Sequence, residues 1–158
     1  MITREQFGRI DNCQESLDYV ASQPFLADAW ENCERSDWLL AFARKARIAT
    51  KAQFVRVAIG EAEAVLHIWT AKYPDDDRPQ KAIKAAKDWL GNPTSETRSA
   101  AAAAYATYAA YAAARDTAAA AAAASAVADD KEAFRRAQCD RIRAIIPNPF
   151  IDHEGDKQ

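Results

Sequence analysis

The side chains best suited to chemistry are few in this sequence, and they are widely separated. Histidine occurs at His67 and His153, and cysteine at Cys13, Cys33 and Cys139. Tetrahedral zinc sites draw their ligands from short repeats such as Cys-x-x-Cys, His-x-x-x-His or His-Glu-x-x-His, and none of these spacings occurs. Thiols lining a helical core account for the three cysteines, so neither a metal nor a cofactor is expected. A serine or cysteine nucleophile needs a base beside it and a group that orients the base. His67 is the one histidine in a helical pattern, and no Gly-x-Ser-x-Gly elbow accompanies it. Glu61 and Glu63 stand two apart on a helix and point to different sides, so they do not form an acid–base pair. Asp75, Asp76 and Asp77 fall in a loop, where three like charges turn to solvent and suit contact with a partner. No glycine-rich phosphate loop is present. A chain without catalytic machinery is the expectation.

Charge narrows the binding classes. The formal net charge is −2, so no overall basic field draws the chain to nucleic acid or to an anionic membrane. The distribution is uneven. Glu5, Asp11, Glu15, Asp18, Asp28, Glu31, Glu34 and Asp37 face only Arg4, Arg9 and Arg35 in the first part of the chain, and a basic stretch from Arg44 to Arg56 follows. Arg44, Lys45, Arg47, Lys51 and Arg56, with Lys81, Lys84 and Lys87 at three-residue steps, make the best case for nucleic acid. Both groups sit opposite apolar helix faces, and solvated sides explain them.

The elements that must carry these residues read as helices throughout. Cys13, Leu17 and Val20 share one face of a helix that Asp11 or Asn12 caps and that runs to about Ser22. Pro24 opens the next, to Cys33, and Ser36 caps a third, Asp37 to about Ile48. A longer helix spans about Thr50 to Tyr73. Arg78-Pro79 starts another, which Gly91-Asn92-Pro93 stops. Thr94 or Ser95 then caps an alanine-rich helix, in which about two-thirds of residues 100–128 are alanine, the strongest helix former. Tyr105, Tyr108 and Tyr111 lie along one side of it. Asp129 or Asp130 caps a last helix, Lys131 to Ile146, closed by Pro147-Asn148-Pro149. Trp30, Trp38, Trp69 and Trp89 each fall on an apolar face and read as core anchors. With only four glycines and six prolines, the chain is expected to form an all-α compact bundle of about seven to eight helices. Residues 1–150 form one domain in this reading and 151–158 a flexible polar tail. The polar start Met1-Ile2-Thr3-Arg4-Glu5, the odd cysteine count and the lack of an apolar run of about 20 residues point to a cytoplasmic chain that meets no membrane.

Five stretches together resemble a known family. Ala29-Trp30-Glu31-Asn32-Cys33-Glu34-Arg35-Ser36-Asp37-Trp38-Leu39-Leu40 is followed by Arg78-Pro79-Gln80-Lys81-Ala82-Ile83, and then by the alanine-rich helix. Cys139-Asp140-Arg141-Ile142-Arg143 and Ile146-Pro147-Asn148-Pro149 close the set. In this order they resemble the immunity protein five-like family of bacterial polymorphic toxin systems and related phage loci, from about Cys13 to Pro149. Glu61, Glu63 and His67 depart from the small, apolar, cysteine-containing middle helix expected of that family.

The resemblance implies a helical protein that binds and neutralises a toxin or effector without chemistry of its own. It also implies a structural role for the shared motifs. Trp30, Cys33 and Trp38 would anchor the core, and Asp37, Arg78, Asp140 and Arg143 would form buried or half-buried ion pairs. Glu31, Glu34, Asp75, Asp76 and Asp77 are the expected partner-binding residues, because nuclease toxins present basic clefts. The alternatives are a phage-encoded anti-defence protein, such as an anti-CRISPR-type inhibitor that binds a host immune complex, and a nucleic-acid-binding helical module. Self-association through alanine faces stays open.

Overall fold

The computed structural model describes Arg9, residues 13–99 and residues 128–150. Every regular element among them is a helix, so the chain is all-α. The helices are α1 (Gln14–Ser22), α2 (Leu26–Glu31), α3 (Ser36–Lys45), α4 (Lys51–Lys72), α5 (Arg78–Gly91) and α6 (Ala128–Ile145). Residues 95–99 are also helical. The body of the alanine-rich helix with Tyr105, Tyr108 and Tyr111, and the polar tail lie outside the described residues.

Local chemistry explains most boundaries. Thr50 and Gln53 form a reciprocal cap at the start of α4. The Gln53 amide donates to Thr50 Oγ1 over 3.2 Å, and the Thr50 amide donates to Gln53 Oε1 over 2.9 Å. Two of the unbonded N–H groups of a helix start are satisfied in this way. Thr94 and Thr97 repeat the device before residues 95–99, at 3.2 and 3.1 Å. Pro79 sits in the first turn of α5, where its missing N–H costs nothing.

Four starts differ from the sequence reading. The N-cap of α1 is Cys13, in extended backbone, rather than Asp11 or Asn12. Ser36 is the first residue of α3 rather than its cap, and its hydroxyl donates to Gln138 Oε1 over 3.4 Å, a tertiary contact. α2 begins at Leu26, two residues after Pro24, because Phe25 holds an extended backbone. The chain is already helical at Ala128, so neither Asp129 nor Asp130 caps α6.

α3 ends in an unusual way. Ile48 N–H bonds the Ala43 carbonyl over 3.1 Å and Arg47 N–H bonds that of Arg44 over 3.3 Å, the two bonds of a Schellman motif. The left-handed position of that motif normally holds glycine. Here it holds Arg47 at φ 56°, and a side chain there costs about 1–2 kcal/mol.

The chain packs as two compact units, Met1–Gln53 with Glu132–Gln158, and Phe54–Lys131. Among the described residues, the first unit has its core on Val20, Ala29, Trp30, Cys33, Leu39, Phe42, Ala43, Cys139, Ile142 and Ile146, all buried. Full burial of each large apolar side chain in that set favours folding by about 1.5–3 kcal/mol. Trp30 meets Phe42 edge-on at 6.2 Å, and Phe42 meets Phe150 at 5.7 Å. The second unit buries Val57 and Ile59 of α4, and Pro79 and Trp89 of α5. Glu63 of α4 and Lys87 of α5 pair at 2.6 Å.

Candidate functional site

α2 is only six residues long, too short to be stable alone, and it needs donors for its last carbonyls. The first unit supplies them from three other elements. Tyr19 of α1 donates its hydroxyl to the Ala29 carbonyl over 3.2 Å. Asn148, beyond α6, donates to the Ala27 carbonyl over 3.2 Å and to Glu31 Oε1 over 2.8 Å. Arg143 of α6 donates Nε and an Nη to the Trp30 carbonyl at 3.1 and 3.0 Å. The same Nη reaches the Cys33 carbonyl, and the other Nη reaches Asp140 at 3.3 Å. A guanidinium at a helix C-terminus also complements the helix dipole. Gln53 performs the same service for α6, donating to the Ile145 carbonyl over 2.9 Å.

The Trp30–Cys33 and Cys139–Arg143 motifs, more than a hundred residues apart, thus meet at one point. Cys33 and Cys139 are buried there and unbridged. Burial pushes the Cys139 thiol up to about 11 and raises that of Cys33, with Arg143 opposing both shifts. Burial also lifts Tyr19 to about 12, which keeps its hydroxyl a donor. Thiols held protonated are poor nucleophiles, and this cluster suits a structural lock.

Around the lock lie the acidic residues. Glu31 and Glu34 are exposed, and Glu34 pairs with Arg136 at 3.1 Å. Asp37, expected in a buried or half-buried ion pair, is exposed. It takes a two-point contact from Arg35 at 2.9 and 2.7 Å, which holds its carboxyl below the usual range. Arg35 also lies 4.5 Å over the Trp38 ring and 3.9 Å from Glu15. Between residues 13 and 38, six carboxylates face one cation, Arg35.

In the second unit, the three loop aspartates have separate environments. Asp75 is exposed. Asp76 does not turn to solvent. Its side chain is 14% exposed and grips Arg78 through both oxygens at 2.7 and 2.6 Å. Asp77 pairs with Lys81 at 2.8 Å. The lysine row of α5 is matched by carboxylates as well, since Lys84 meets Asp88 at 2.7 Å and Lys87 meets Glu63. A face neutralised in this way offers little to phosphates. Arg44, Lys45, Arg47 and Lys51 are exposed around the end of α3 and the start of α4.

A small apolar pocket of about 30 Å³, open on one side to solvent, lies in the first unit. Ser16, Tyr19 and Val20 of α1, Leu26, Ala29 and Trp30 of α2, Trp38, Leu39 and Phe42 of α3, and Cys33 and Phe150 line it. Among the described residues, no group of three or more His, Cys, Asp or Glu could hold a metal, and no helix is long and apolar enough to cross a membrane.

Sequence reasoning found the motif residues but not Tyr19, Asn148 or Arg136 as their partners, nor Gln53 as the donor that closes α6. A side chain that bonds a distant carbonyl leaves no spacing signal. The Thr50-x-x-Gln53 cap does leave one.

Residues 44–139, more than half of the chain, match the model of a family described as "Imm-5 like putative immunity protein". The match starts near the end of α3 and stops at Cys139, so Trp30, Trp38 and Arg143 lie outside it. No curated protein and no solved structure matches the chain.

Proposed function

The chain belongs to the Imm-5 like putative immunity protein family, and from that premise we propose that it neutralises a toxin by binding it directly, without chemistry of its own. The family match is the observation that carries this reading. The described polar groups agree with it. Arg143, Asn148, Tyr19 and Gln53 are engaged in closing helix ends, and the buried thiols are held protonated. The free cysteines fit a reducing compartment, the cytoplasm.

The binding surface in this proposal is the acidic segment 13–38, with Glu31 and Glu34 at its centre and Asp75 and Asp77 as a second contact. Asp76 acts by holding Arg78 and the loop in place. Charge of one sign steers a basic partner and raises its association rate. Glu34 and Arg136 are both more than half exposed, so a partner's cation can replace Arg136 at small cost.

Co-expression with a toxin that co-purifies with this chain tests the proposal. The wild-type chain restores growth. The double variant Glu31→Gln with Glu34→Gln keeps an acceptor for Asn148, has its fold checked by circular dichroism, and protects less, with a deficit that grows as toxin dose rises. Full killing in the presence of the folded wild-type chain overturns the reading.

A further inference from the structure

Cations of this chain commonly hold carboxylates of the chain itself. Arg35, Arg78 and Arg136 hold Asp37, Asp76 and Glu34, and Lys81, Lys84 and Lys87 hold Asp77, Asp88 and Glu63. The corner after α3 differs. Arg44 and Arg47 are exposed, and among the described residues their side chains make no ion pair, hydrogen bond or ring contact. The bond from the Arg47 N–H to the Arg44 carbonyl, 3.3 Å, holds the two within one turn of each other. A place in the last turn of α3, where a cation complements the helix dipole, accounts for Arg44. It does not account for Arg47, which lies past the helix at φ 56°. Glycine holds such a backbone without strain, yet an arginine stands there with no contact to its side chain. Strained residues other than glycine concentrate at functional sites.

We propose that Arg44 and Arg47 form a docking point for a carboxylate side chain of the partner. The inference rests on the inhibitor reading and adds an acidic group to the partner's chemistry. The planar guanidinium matches a carboxylate at two points, and arginine is among the residues in which interfaces concentrate their binding energy. The other end of α3 carries the opposite charge, with Asp37 in its first turn and Glu34 just before it. Ten residues at about 1.5 Å each set the two ends about 15 Å apart. A toxin that meets Glu34 with a cation thus places its carboxylate about 15 Å away. Opposite charges at the two ends fix the register of docking and reject partners of a single sign. Nucleic acid fits less well, because its phosphates recur every few ångströms, and a strand laid along α3 meets Glu34 and Asp37.

The first test needs no toxin. The ¹⁵N-labelled full-length chain is titrated with a capped alanine peptide carrying one glutamate, and the arginine Nε–H signals are followed. Arg56, also exposed, is the internal reference. The peptide should shift Arg44 and Arg47 saturably and well beyond Arg56, and the same peptide with lysine for glutamate should shift neither. Equal shifts at all three arginines mean simple screening and overturn the proposal. A short DNA duplex that binds at physiological salt and is lost on Arg47→Gly assigns the corner to phosphate and overturns it too. So does a dimer of the chain alone that Arg47→Glu dissociates.

The second test compares Arg47→Gly and Arg47→Lys with the wild type, in urea and in affinity for a toxin that co-purifies with the chain. Arg47→Gly should raise the urea midpoint and yet weaken binding by about tenfold or more; a merely structural residue would not move the two in opposite directions. Arg47→Lys should recover part of the affinity. An Arg47→Gly chain that binds as tightly as the wild type overturns the proposal. The two readings fail separately. If that variant binds and neutralises as well as the wild type, the inhibitor reading stands and the docking point falls. If the toxin stays active when bound, yet Arg47→Gly weakens its binding, the docking point stands and the inhibitor reading falls.

Discussion

Replacing Arg143 by alanine should be among the most damaging single changes outside the apolar core. Its guanidinium is 17% exposed and donates to the carbonyls of Trp30 and Cys33 while contacting Asp140. Hydrogen bonds to a charged donor contribute about 1.5–3 kcal/mol each, and the carbonyls left behind are half-buried. Partial access of water keeps the two losses from adding fully, so the expected destabilisation is about 3–5 kcal/mol. At this chain length each kcal/mol lowers the melting temperature by roughly 2–4 °C. Thermal unfolding followed by circular dichroism should therefore show a fall of roughly 6–20 °C. Arg143→Lys keeps the charge but not the planar fork, reaches one carbonyl, and should lose about half as much. The control is Arg136→Ala, which breaks only the exposed pair with Glu34 and should cost less than about 1 kcal/mol. If Arg143→Ala and Arg136→Ala melt together, the carbonyl lock is not what holds α2.

Other consequences follow from the same structure. Arg47→Gly relieves a left-handed residue at the end of α3 and should stabilise the chain by about 0.5–1 kcal/mol, after the greater freedom of glycine in the unfolded chain is deducted; a loss in chemical denaturation would contradict the Schellman account. Thr50→Ala removes half of the reciprocal cap of α4 and should cost about 1 kcal/mol, measured as a lower urea midpoint with unchanged slope. Alkali should weaken the fold in a defined window. Cys139 is raised from 9.0 to about 11 and Tyr19 from 10.0 to about 12, so between these values the folded state keeps protons that the unfolded state loses. The stability they contribute is intact below about pH 9 and declines as pH rises toward 12. Tyr19→Phe should flatten the upper part of that decline.

How much of this was legible in sequence depends on where each partner lies. The limits of α5 follow from Pro79 and from Gly91-Asn92-Pro93, because those residues act through their own backbones. Trp30 and Trp89 are buried, as their places on apolar faces imply. The pairs of Lys81 with Asp77 and Lys84 with Asp88 follow helical spacing. The contacts of Arg143 do not, since its acceptors are carbonyls more than a hundred residues away. Nor does the end of α3, where an arginine stands in place of the glycine that would mark it. Asp76 reads as one of three equivalent loop charges, and only the position of Arg78 two residues later separates it from Asp75 and Asp77.

The central claim is that this chain stops a toxin by occupying it. Calorimetric titration of the purified chain into a toxin that co-purifies with it, with residual toxin activity read on the same samples, tests it most directly. The account predicts one chain bound per toxin, activity lost in proportion to occupancy, and affinity that weakens with added salt. Toxin activity that persists at saturation, or an absence of binding at all, would contradict it.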